Sequence, residues 1–152
     1  MTIAIALHLL AAVIWVGGMF FAYVIVRPTA AQQFEPSVKL TLWSAIFGRF
    51  FPWVMLSIIT LLITGIWMTV ALGGMSAAAT GLHVHIMLLL GIIMMLIFLH
   101  VNFNLFKKLK LAIADHDWIA GDFILTQIRK AIAMNLALGL IVVIVASSGR
   151  FF

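Results

Sequence analysis

The sequence has no cysteine, which excludes a disulfide framework, a thiolate zinc site and an iron–sulfur cluster. Charge is almost as scarce. Only 9% of the 152 residues are charged, and the acids number four against nine Lys and Arg. Three of the four acids lie outside the long apolar runs, and Asp122 falls in the amphipathic entry of the last, Trp118 to Lys130. No carboxylate dyad or nucleophile–base pair is therefore available within the membrane parts. Hydrolytic chemistry there is excluded, and no catalytic residue stands out. The net charge of +5 comes without the basic density and interleaved aromatics that nucleic-acid binding needs, so nucleic acid is not an expected partner. No Lys or Arg precedes Arg27, and the first apolar run is too long for a secretory signal, so it reads as a retained helix.

What is there is apolar surface: 66% hydrophobic residues and a mean hydropathy of +1.28. A soluble domain does not have this composition. The chain divides into four runs long enough to cross a bilayer, at about 3–26, 50–72, 82–114 and 118–148. The first ends at Arg27-Pro28, and the second holds Pro52 in its expected first turn. Between them, Ser37 to Phe47 reads as a short interfacial helix with Trp43 at headgroup level. Asp115 or Asp117 is the expected N-cap of the fourth run. The expected fold is all-α: one integral-membrane domain over 1–152, built as a four-transmembrane-helix antiparallel bundle.

The basic residues orient it. Arg27, Lys39 and Arg49 occupy the first connector, and Lys107, Lys108, Lys110, Arg129 and Lys130 flank the third; the middle connector has none. The positive-inside rule then puts both termini on the periplasmic side of a bacterial inner membrane.

Orientation turns sequence position into depth. His8, His83 and His85 fall in the outer part of the bundle, His100 about 15 residues further down the third helix, and His116 in a cytoplasmic turn. An imidazole in hydrocarbon must hydrogen-bond, ionise or ligate. Two at matched depth on different helices are able to hold an iron porphyrin from both faces. The expected pair is His8 with His85, because His83 and His85 point about 200° apart and His85 is the deeper. Trp15, one heptad below His8, and Gly17-Gly18 suit a flat cofactor, and Ser57, Thr60 and Thr64 form a small polar stripe on helix two. The leading expectation is a b-type haem protein with redox or electron-transfer function, its partners being the bilayer, a quinone or periplasmic redox protein, and a second copy of the chain. The alternative is copper handling by His83, His85 and Met87, with Met75 and His8 as further donors. A third reading is a cofactor-free subunit whose histidines only bond between helices.

A family resemblance rests on spaced residues: Leu7-His8-Leu9-Leu10, Trp15-Val16-Gly17-Gly18-Met19-Phe20-Phe21 and Arg27-Pro28 in the first run, and Phe50-Phe51-Pro52-Trp53 with Thr64-Gly65-Ile66-Trp67-Met68 in the second. His83-Val84-His85 opens the third, and Arg129-Lys130 precedes Asn135-Leu136-Ala137-Leu138-Gly139 in the fourth. Together these resemble CopD-like bacterial inner-membrane proteins, a family whose name implies copper resistance and a link to copper uptake. The histidine, Trp and Gly of the first run are also similar to HemJ-type membrane proteins, which implies haem binding. The chain departs from HemJ at Tyr23-Val24-Ile25-Val26-Arg27-Pro28, where that family has Tyr-Leu-Pro-Arg and a closing histidine.

Overall fold

A computed structural model describes residues 1–71 and 81–148. Among these it has four long helices and no strand: α1 (Thr2–Gln33), α2 (Pro36–Ala71), α3 (Leu82–Ala114) and α4 (Trp118–Ser148). Each is apolar and long enough to cross a membrane. At 31 to 36 residues, each spans more than the roughly 30 Å of a hydrocarbon core, so every helix has length to spare for the headgroup region.

The contacts give an up-and-down order. His8 meets Thr64 while Gly18 lies against Phe50, so α1 and α2 are antiparallel; Met94 meets Asn135 while Ala112 lies near Gly121, so α3 and α4 are too. One end of the bundle holds Thr2, Ala71, Leu82 and Ser148 and is called here the histidine end. The other holds the two tight links, Gln33 to Pro36 and Ala114 to Trp118, and is called the connector end.

Two expected boundaries are corrected. The first helix does not stop at Arg27-Pro28: after 19 α-helical residues it widens into a π-helical stretch, Phe21–Val26, and continues to Gln33. A widened turn leaves a carbonyl without its usual α-helical donor, which is where a proline lacking an N–H costs least. The segment Ser37 to Phe47 is not a separate interfacial helix but the first third of α2, and Pro52 lies inside that helix rather than in its first turn. Pro52 faces outward, and the carbonyl its ring crowds belongs to Gly48, also exposed, so the chain has room to adjust. Helix α3 widens in the same way at Val101–Leu105, again after 19 α-helical residues, so the two parallel helices loosen at one depth. Asp117 caps α4 as expected, accepting from the Ala120 N–H at 3.0 Å.

The core is asymmetric along the bundle axis. The largest fully buried side chains are Trp43, Phe47, Leu40, Leu109, Leu125, Ile128 and Val54, all in the connector half except Val54 at the middle of α2. An aromatic stack ties three helices there. Phe47 lies on Phe51 at 5.0 Å, Phe51 meets Phe98 edge-on at 5.4 Å and Phe106 at 5.2 Å, and Trp15 closes on Phe98 at 6.3 Å. Lys39 pairs with Asp122 at 3.0 Å across α2 and α4. Toward the histidine end burial thins: before Ala11 on α1, after Thr64 on α2, before Met94 on α3 and after Gly139 on α4, none of the described residues is buried.

Candidate functional site

His8 is the polar residue the sequence raised first, and the structure gives it a partner on α2. Its Nδ1 lies 2.7 Å from Thr64 Oγ1, and Thr64 Oγ1 in turn lies 2.6 Å from the Thr60 carbonyl one turn below. Thr64 is 7% exposed, so this pair sits at the rim of the packed core. The ring packs beside Gly65: a Cβ at that position would stand 3.5 Å from His8 Cε1, ordinary contact for a methyl. Of the small polar stripe of helix two, Thr64 is the member that seats His8.

The other histidines fall elsewhere. His85 Nδ1 lies 3.1 Å from the carbonyl of Gly81, at the start of its own helix. His83 folds back on the same glycine: a Cβ at Gly81 would meet His83 Cε1 at 2.9 Å. Gly81 has φ +76°, a conformation that favours glycine, so its lack of a side chain both permits the turn and makes room for His83. His83, His85 and Met87 are all half-buried. His100 lies on the exposed surface of α3, and His116 packs on Trp118 in the tight link between α3 and α4. Asn135 of α4 donates from Nδ2 to the Met94 carbonyl of α3 at 3.1 Å. Met75 lies outside the described residues. Among the described residues no group of three or more His, Asp or Glu converges as a metal cage.

Trp15 and Gly18, expected to flank a flat cofactor, are taken up by the packed core. Trp15 is 3% exposed and is spent on the core against Phe98. The close approach allowed by Gly18 is used by Phe50, whose ring would stand 2.3 Å from a Cβ there. The gap between Trp15, Phe51, Phe98 and Asn135 has a volume of about 20 Å³, room for a single water. His8 Nδ1 is engaged by Thr64 on α2, and His85 Nδ1 lies against the Gly81 carbonyl at the start of α3.

Comparison with known proteins decides the family. The model for copper resistance protein D matches residues 44–148, well over half of the chain. The chain belongs to the copper resistance protein D family. No curated protein and no solved structure matches it. Family and architecture together make it a multi-pass membrane protein. Within the copper resistance protein D match fall Thr60, Thr64, His83, His85 and Met87; α1, with His8 and Trp15, precedes it. Sequence reasoning found both halves of the His8–Thr64 contact but did not join them. The signal was there, since positions 8 and 64 reach one depth once α1 and α2 are antiparallel.

Proposed function

We propose that this protein handles copper as its cargo, binding it at the histidine end through His83 and Met87 of α3, with His85 and His8 of α1 as further donors at that end. What carries the reading is the family match, which takes in the whole of α3 with its imidazole and thioether donors. In a chain without cysteine these are the soft ligands on offer, and they suit Cu(I). His83 and Met87 are four residues apart and share one face of α3. The count of basic residues supports placing the histidine end outside the inner membrane, where copper would first be met.

Competition for Cu(I) between the metal-free protein in lipid nanodiscs and a chromophoric chelator tests the reading. Wild type should compete at about one ion per chain. The double variant His83→Ala, Met87→Leu should lose that ion, and His100→Ala, on the outer surface of α3, should keep it. Equal competition by wild type and double variant would sink the assignment. The b-type haem reading, with its quinone or redox partner, predicts instead a Soret band that His8→Ala abolishes. The filled space around Trp15 and Gly18 speaks against it.

A further inference from the structure

We infer that Thr64 is a positioning residue that fixes His8 as its Nδ1–H tautomer and leaves Nε2 as the one nitrogen able to accept a cation. The consequence for copper rests on the function proposed above; the tautomer itself does not.

The argument is a count of protons. Two short contacts meet at Thr64 Oγ1: 2.7 Å to His8 Nδ1 and 2.6 Å to the Thr60 carbonyl oxygen. The hydroxyl has one proton to give. An O···O separation of 2.6 Å with no proton between would set lone pair against lone pair, so the hydroxyl donates to Thr60. Thr64 Oγ1 then has only lone pairs left, and a 2.7 Å approach by His8 Nδ1 needs a proton on that nitrogen. In neutral imidazole the second nitrogen is then bare. The opposite arrangement, with the hydroxyl turned to His8, makes one hydrogen bond in place of two.

The geometry around the pair holds the ring in this setting. The ring packs beside Gly65, where a Cβ would stand 3.5 Å from Cε1, the carbon between the two nitrogens, while Nδ1 rests against Thr64. Metal-binding histidines commonly have their second nitrogen held in this manner, which fixes the tautomer and raises the basicity of the ligating one. His8 has that support already built in, from a helix other than its own.

Nitrogen-15 NMR of metal-free protein with labelled histidine, at pH 8 where imidazole is neutral, tests it, with His8→Ala identifying the signal. Wild type should show His8 protonated at Nδ1 and bare at Nε2. Thr64→Val should abolish that preference and weaken Cu(I) binding about 10- to 100-fold. Thr64→Ser, which keeps the hydroxyl, should restore both. An Nε2–H signal in wild type, or an unchanged tautomer in Thr64→Val, overturns the inference. Should Thr64→Val fail to fold, the wild-type and Thr64→Ser spectra decide it alone. A fixed Nδ1–H tautomer in a protein that takes no copper upholds the role of Thr64 and removes the copper reading instead.

Discussion

The two ends of this bundle are built differently. At the connector end, large apolar and aromatic side chains are packed out of reach of solvent: Leu40, Leu109, Leu125 and Ile128 are each 0% exposed. At the histidine end the helices carry exposed aliphatic residues, among them Ile3, Ile63, Val70 and Leu82, and polar groups are half-buried in between. In water such an end would be a defect. In lipid it is not, because tails solvate aliphatic side chains as well as a protein core does, and helix association rests on packing and hydrogen bonds. One end can therefore hold the fold while the other keeps histidines and a methionine accessible. The lesson is a division of labour along the membrane normal, with the rim between the two zones at Thr64, Met94 and Gly139.

That contrast makes predictions, the largest first. Trp43→Ala removes a side chain 1% exposed from the packed end and should cost about 3–5 kcal/mol of stability in detergent unfolding. His8→Ala, at the open end, should cost less than about 1 kcal/mol, close to what one interhelical hydrogen bond contributes. Similar losses for the two would remove the distinction between the ends. Next in size is Gly18→Val. The Phe50 ring fills the space a Cβ would need, so the variant should lose about 1–3 kcal/mol by overpacking, and Gly17→Val, with nothing within 4 Å, should lose much less. The pair is a direct readout, by unfolding midpoint, of which glycine packs inside the bundle and which faces out.

The fold was largely legible because its signals are long-range averages: four apolar runs and basic residues gathered in two connectors. The prolines misled. Pro28 and Pro52 lie in lone helices as a sequence sees them, where each argues for a boundary. The structure carries α1 past one through a π-helical turn and carries α2 through the other on its outer face. Neither escape is visible in local pattern. The site was legible in parts. His8 and the Ser57, Thr60, Thr64 stripe were found as features, but the stripe reads equally as a surface for a flat cofactor. Only the rotation of α2 about its axis, fixed where Phe51 packs on Phe98 and Phe106 of α3, turns Thr64 onto His8. Trp15 and Gly18 show the reverse: a residue type that suits a cofactor suits a core just as well, and here the core took both.

Smaller effects probe the boundary of the packed zone. Asp117→Ala removes the side-chain oxygen that receives the Ala120 N–H and should cost about 1 kcal/mol, read as earlier unfolding of the α4 start in hydrogen exchange. Asn135→Leu should change stability least, and its sign is the informative part. Asn135 is 4% exposed, its Nδ2 donates to the Met94 carbonyl, and its Oδ1 has no protein partner. Substitution gives up one interhelical bond, about 0.6 kcal/mol on average in membrane bundles, and relieves a buried acceptor whose isolation costs about 1–3 kcal/mol. The Met94 carbonyl keeps its place in the helical hydrogen-bond ladder, so no new orphan is made. If Oδ1 stands alone, Asn135→Leu should be neutral to stabilising in a denaturation series. A loss above about 2 kcal/mol means that Oδ1 holds a donor, and the gap beside Trp15 has room for one water to be it.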